Sequence, residues 1–212
     1  MTPVSATATA ADAGVAADAS RSDRAATLAV VALTPGGVAR ARRLATQLDE
    51  VTLYLPQRFA AADGHHYHDE PVMQLLPRLF VAGTPLLCIM ATGIVVRALA
   101  PVLRGKEHDA AVVVMDEAGR FAISLLAGHL GGANDLARRL ETCCGATAVI
   151  TTATDVNQLP AWDTVARELG LTVEPVARLR LLNRLLLEGG RIALYDPTGK
   201  VATRFAALTQ VE

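Results

Sequence analysis

The chain has 212 residues, enough for one large domain or two small ones, and either size buries enough apolar surface to fold without disulfide or metal staples. Hydrophobic residues make up 51% and aromatics only 4%, and the apolar content is Ala, Val and Leu broken throughout by charge, a composition that suits alternating strands and helices. A net charge of -1 carries no overall electrostatic footprint for nucleic acid and argues against DNA or RNA as partner.

Residues 1–26 are Ala, Thr, Ser and Asp without a basic segment followed by an apolar one, and read as a disordered leader. Leu28 to Leu33 is a continuous apolar run, Thr34-Pro35-Gly36-Gly37 punctuates it, and Val38, Ala41, Ala45 and Leu48 recur at helical spacing. Val51 to Leu55 predicts a second strand, and Val72, Leu75, Leu76, Leu79 and Phe80 a second helix. Leu86 to Met90 predicts a third strand, Ala91-Thr92-Gly93 a turn, and Ile94 to Leu103 a helix that Pro101 kinks or shortens. Ala111 to Met115 and Phe121 to Leu125 read as a strand pair around the hairpin loop Asp116 to Arg120. Gly131-Gly132 opens a helix through Cys144, and Ala146 to Ile150 is a further strand running into Thr151-Thr152-Ala153-Thr154-Asp155. The remainder predicts helices over Ala161 to Leu169 and Leu179 to Glu188 and a strand over Arg191 to Tyr195.

This rhythm implies an α/β fold. Its core is a mostly parallel sheet flanked by helices in three Rossmann-like layers over 27–155, followed by a smaller, incomplete α/β region over 156–212. Ligands of such sheets sit at the carboxyl ends of the strands, so the loops at Thr34, Ala91 and Thr151 are expected on one rim. Apolar stretches such as Thr84 to Ile94 are too short to cross a bilayer. Cys88, Cys143 and Cys144 form neither a disulfide framework nor a zinc spacing, which suits a cytoplasmic setting. No metal site and no membrane partner are expected.

The least ordinary segment is Ser124 to Asn134, where His129 lies between glycines at a helix start. Imidazole is the usual general base near neutral pH, and the amides of Gly131 and Gly132 would stabilise an oxyanion, a pairing suited to ester or lactone hydrolysis. A helix cap with closely packed glycines accounts for the same residues. Arg97, one turn into the helix after Thr92-Gly93, either grips a carboxylate or is a surface arginine; Arg104, Lys106 and His108 extend the positive charge. Asp116 and Glu117 serve acid-base work or a hairpin turn, and Thr152 and Asp155 position substrate or cap a turn. His65-His66-Tyr67-His68 reads as an irregular loop in structural use, and the Thr34 loop lacks the Walker lysine of a nucleotide site.

Met90-Ala91-Thr92-Gly93-Ile94-Val95-Val96-Arg97, Asp116-Glu117 with Gly119, Gly128-His129-Leu130-Gly131-Gly132-Ala133-Asn134 and Thr151-Thr152-Ala153-Thr154-Asp155 together resemble, in order and spacing, the CbiG family of cobalamin biosynthesis. Trp162-Asp163, Glu174-Pro175 and Tyr195-Asp196-Pro197 resemble the family's middle region, so the resemblance runs from about Leu28 to the C-terminus. It implies a cobalt-precorrin-5A hydrolase of anaerobic vitamin B12 synthesis, which opens the substrate lactone and releases the methylated meso carbon as acetaldehyde to give cobalt-precorrin-5B. No cofactor is implied, because cobalt arrives inside the corrinoid substrate. On this reading His129 is the base for water, Gly131 and Gly132 donate to the oxyanion, and Arg97 and Lys106 grip peripheral carboxylates. Asp116, Glu117 or Asp155 assists proton transfer during carbon-carbon cleavage, and Thr92, Gly93, Asn134 and Thr152 complete the binding set. Fuller members carry a C-terminal domain that does not follow Glu212, so either the chain is a truncated gene product or a separate polypeptide bearing that domain is its partner and completes the site. The alternative is a non-catalytic corrinoid-binding or carrier subunit that needs such a partner for activity.

Overall fold

A computed structural model describes residues 27–105 and 108–212; the leader segment and Lys106 lie outside the described residues. The strands are β1 (Leu28–Ala32), β2 (Val51–Pro56), β3 (His66–His68), β4 (Leu86–Ile89), β5 (Val112–Met115), β6 (Phe121–Leu126) and β7 (Thr147–Val149). The helices are α1 (Pro35–Ala45), α2 (Val72–Val81), α3 (Thr92–Leu99), α4 (Ala133–Cys144), α5 (Ala153–Val156), α6 (Trp162–Glu168), α7 (Arg178–Leu187) and α8 (Ala202–Phe205).

All seven strands join one sheet in the order β3-β2-β1-β4-β5-β6-β7, and every pairing is parallel except β5 with β6. β1, β4 and β5 are Val- and Leu-rich and buried on both faces, as strands in the middle of a parallel sheet must be. Their side chains alternate between two cores. Val30, Leu87 and Val113 pack with α1 and α4 on one face, while Val31, Cys88 and Val114 pack with α2 and α3 on the other. The expected three-layer α/β core is therefore the one observed. α1 begins where Pro35 presets its first turn and the Thr34 hydroxyl accepts a hydrogen bond from the Gly37 amide at 3.2 Å.

Four local expectations change. His66-Tyr67-His68 is a short edge strand, because its backbone pairs in register with Tyr54 to Pro56, and His66 stacks on Tyr54 with ring centroids 5.1 Å apart. α3 already includes Thr92 and Gly93 and stops at Leu99, where Pro101 turns the chain into a 3-10 segment. The strand expected over Arg191 to Tyr195 reduces to a single bridge between Ile192 and Val211. The fourth change matters most for function. The hairpin at Asp116 to Arg120 reverses the chain, and the β6-α4-β7 crossover then keeps β7 parallel to β6, so both run against β1, β4 and β5. The loop after β7 therefore lies on the edge of the sheet opposite Thr34 and Ala91.

Beyond β7, a separate small core of Val165, Leu186, Ile192 and Phe205 holds α6, α7 and α8, with Trp162 stacked on Phe205 at 4.0 Å between centroids.

Candidate functional site

Where β6 and β7 end on that reversed edge, a cavity of about 420 Å³ opens between Ser124–Leu130, Thr151–Thr154, Asp163 and the α7 residues Asn183 and Leu187. The loop from β6 into α4 is compressed against its neighbours. Ala127 has φ 54, and a Cβ on Gly131 would stand 2.5 Å from the Ala127 Cβ and 2.8 Å from its carbonyl oxygen. A Cβ on Gly128 would stand 2.7 Å from Asn134 Oδ1, so this glycine is what lets the buried Asn134 side chain approach the chain.

Asn134 is the hub beneath His129. Its amide oxygen accepts from Ser124 Oγ at 2.7 Å, and its Nδ2 donates to Thr152 Oγ1 and to Asp155 Oδ2, both at 3.0 Å. Asp155 Oδ2 also accepts from Thr152 Oγ1, and His129 Nε2 lies 2.7 Å from it. Arg138 on α4 donates to the other oxygen, Oδ1. On the far side of the imidazole, His129 Nδ1 lies 3.4 Å from Oδ1 of Asp163, whose residue surface is only 3% exposed. Asp163 is in turn held by Asn183 Nδ2 at 3.3 Å. Thr154 Oγ1 stands 3.2 Å from His129 Nε2, and Arg167 of α6 donates to the His129 carbonyl at 2.6 Å while also reaching Asp135.

The electrostatics follow from this sandwich. Asp163 and then Asp155 hold the His129 pKa above its ordinary value against the opposing effect of burial. Asp163 is the farther carboxylate yet the larger influence, which fits its deeper burial and weaker solvent screening: its side chain is 4% exposed against 15% for Asp155. Burial pushes Asp155 upward, but hydrogen bonds from Thr152, His129 and Arg138 outweigh it and bring the carboxyl down to about 2. Burial likewise raises Asp163, and the His129 contact prevails and leaves it below the usual carboxylate range.

A pH dependence follows. Since the folded pKa of Asp155 is depressed below its ordinary 3.8, its contribution to stability is complete above about pH 4 and is lost as pH falls toward 2. Urea unfolding midpoints measured from pH 5 down to pH 2 are expected to drop across that window in the native chain and to drop less in Asp155→Asn; equal slopes would show that Asp155 is not a major acid-sensitive link.

Comparison with known proteins gives the family. The family model for the cobalamin synthesis G N-terminal region matches residues 74–155, and that for the cobalamin biosynthesis central region matches 160–212. The cobalt-precorrin-5A hydrolase of Salmonella typhimurium is 42% identical over 169 residues, covering 79% of this chain and 48% of that protein. The cobalt-precorrin-5A hydrolase of Priestia megaterium is 35% identical over 176 residues, covering 81% and 47% respectively. This chain belongs to the CbiG family. It spans about half the length of the curated CbiG relatives it matches. A solved structure of a cobalamin biosynthesis protein G homolog from Sulfolobus solfataricus aligns over 80% of this chain and 48% of that one, at 20% identity and a TM-score of 0.47.

The CbiG motif residues divide between the two edges of the sheet. His129, Asn134, Thr152 and Asp155 come together around the cavity as one hydrogen-bonded unit. Glu117, Thr92, Gly93 and Arg97 lie on the opposite edge, a strand length of roughly 13 Å away. There Thr92 and Glu117 line a second cavity of about 390 Å³ at the carboxyl ends of β1, β4 and β5. The reason is the strand reversal at the hairpin, and it separates Glu117 from any proton transfer involving His129. Glu117 instead accepts the Thr34 hydroxyl at 2.6 Å, and Arg97 donates to the Gly93 carbonyl of its own helix at 3.0 Å. Asp116 accepts the amides of Ala118, Arg120 and Phe121 and so shapes the hairpin. Gly131 and Gly132 line a third, smaller hollow with Leu28 and Pro85, away from the cavity beside His129, and the Gly132 amide donates to the His129 carbonyl at 3.0 Å, so it is engaged within the loop. With Asp155 at Nε2 and Asp163 3.4 Å from Nδ1, the surroundings of His129 favour its protonated form. Sequence reasoning gave no role to Asp163, Asn183 or Arg138. Asp163 and Asn183 lie 34 and 54 positions beyond His129, and no local spacing signals such a contact.

Proposed function

We propose that this chain carries the lactone-opening chemistry of a cobalt-precorrin-5A hydrolase, converting cobalt-precorrin-5A to cobalt-precorrin-5B with release of acetaldehyde. What carries the reading is an aspartate-held histidine in the wall of a cavity that Ser124, Thr152 and Thr154 also line, on a chain whose relatives bear that name. A volume of about 420 Å³ suits one edge of a tetrapyrrole, so the lactone-bearing edge enters while the rest of the macrocycle lies across the mouth. Lactone hydrolysis adds the hydroxyl of water to the acyl carbon and breaks the acyl-oxygen bond, and the departing ring oxygen must gain a proton. His129, positioned by Asn134 and Asp155, is the group placed to manage that proton. Cobalt enters within the substrate, and the protein needs no cofactor of its own.

We assign the reaction to the cytoplasm as part of this reading, a setting that the three free cysteines suit. Nucleic acid is not a partner on this reading. The partner proposed is a polypeptide that carries the family's C-terminal domain. The deciding assay is acetaldehyde release from cobalt-precorrin-5A by the purified chain, alone and with that domain added. Release in either case supports the hydrolase, and the comparison locates the completed site. Tight corrinoid binding with no release in both assays would replace the hydrolase with a carrier subunit.

A further inference from the structure

We infer that Asp163, on α6 in the central region, is a positioning residue that holds His129 of the N-terminal region as a charged imidazolium facing the cavity, so that His129 serves as the acid of the reaction. The inference rests on the hydrolase reading for its chemistry, but its geometry stands independently.

His129 Nε2 is anchored at 2.7 Å to Asp155, an oxygen already fixed by Asn134 and Thr152. The ring therefore cannot pivot without breaking a buried network. Nδ1 faces Asp163 at 3.4 Å, longer than a well-formed N–H···O bond, so its proton is attracted by the carboxylate yet only loosely bound. A lactone oxygen entering the cavity beside Asp163 competes for that proton. Asp163 itself is nearly sealed from solvent, oriented by the Asn183 side chain and by the Thr164 amide at 3.2 Å. The other charged groups packed around His129 leave this balance in place. Arg138 of α4 is engaged with Asp155 and Asp135, and Arg167 of α6 with Asp135 and the His129 carbonyl.

In the step this supports, the hydroxyl of water bonds to the lactone acyl carbon and the acyl-oxygen bond breaks. The leaving alkoxide takes the Nδ1 proton, and the proton released by the attacking water restores the imidazolium. No proton is gained or lost by the protein over the cycle. The arrangement also makes the site a joint product of the two family regions: the glycine-rich motif supplies the histidine, and the central region supplies the carboxylate that keeps it charged.

The test is an NMR titration of the His129 imidazole in the intact chain and in Asp163→Asn, with acetaldehyde release followed against pH in both, supplemented by the C-terminal domain if turnover requires it. The native ring is expected to titrate above the ordinary histidine midpoint of about 6.5, and the variant lower by about one pH unit or more. In turnover, kcat falls about tenfold or more at neutral pH with KM little changed, and the alkaline limb of the kcat profile moves to lower pH. A native midpoint at or below about 6.5 overturns the inference, and this measurement needs no variant to fold. An unchanged midpoint in the folded variant, or turnover with an unchanged pH profile, overturns it as well. If neither form releases acetaldehyde while the titration still shifts, Asp163 is upheld as the group that charges His129, and the hydrolase reading and the acid role with it are lost.

Discussion

Asp155→Ala is expected to lower folding stability by about 3 kcal/mol at neutral pH, because removing one member of a largely buried ionic network leaves its partners uncompensated. Asp155 gathers four donors, from His129, Asn134, Thr152 and Arg138. With alanine in its place, His129 keeps only the looser Asp163 contact and the Thr154 hydroxyl, and the Asn134 and Thr152 groups lose the acceptor that joins them. For a chain of this size the loss corresponds to a fall of roughly 10 °C in Tm. Asp155→Asn is expected to fall between the two, since its amide keeps one oxygen acceptor but neither the charge nor the second. Calorimetry of the three proteins checks this; an alanine variant within about 0.5 kcal/mol of the native chain, the size of an ordinary surface substitution, would show that the network is not a structural keystone.

The second large effect is on turnover. His129→Ala is expected to reduce acetaldehyde release by a factor of about 100 to 10,000, the range associated with loss of a positioned proton-transfer group. The same substitution has a stability signature that distinguishes an imidazolium from a neutral ring. His129 has a raised pKa in the folded chain, so its stabilising contribution is fully present below its unfolded value near 6.5 and is lost as pH rises through the folded value. The variant's stability deficit is therefore expected to be larger at pH 6 than at pH 9. Guanidinium unfolding at the two pH values, alongside the rate measurement, gives both readouts. A deficit that grows with pH would mean that the ring is buried neutral, and undiminished turnover would remove His129 from the chemistry altogether.

The core of the fold was legible because its signals are local. Apolar runs at 28–33, 86–90 and 111–115 are short, bounded by turn residues and rich in Val, Leu and Ile, which favours buried strands, and the spacing of Val38, Ala41 and Leu75, Leu76, Leu79 gives the helices that cover them. The short strand at His66–His68 was not legible, because three polar-edged residues carry no period and pair only when β2 is already in place. The site was legible in part for the same reason. His129, Asn134, Thr152 and Asp155 sit in two motifs that a reader of sequence marks as unusual, and they do meet. Arg97 and Glu117 sit in motifs of equal prominence and do not join them, since strand direction after a hairpin decides which end of the sheet a loop occupies.

What the sequence by itself determined is the α/β class, the family motifs and the histidine in the glycine-rich loop before α4, all of which depend on residue type and spacing over a dozen positions. Only the tertiary structure decided that the motifs divide between two edges, that Gly131 and Gly132 turn away from the cavity, and that a carboxylate at position 163 completes the surroundings of His129. Those outcomes depend on the reversal at Asp116 to Arg120 and on how α6 packs beside the β6 and β7 ends. Such contacts join segments far apart in the chain, where burial of apolar surface fixes the approach and leaves no periodic trace in the residues that meet.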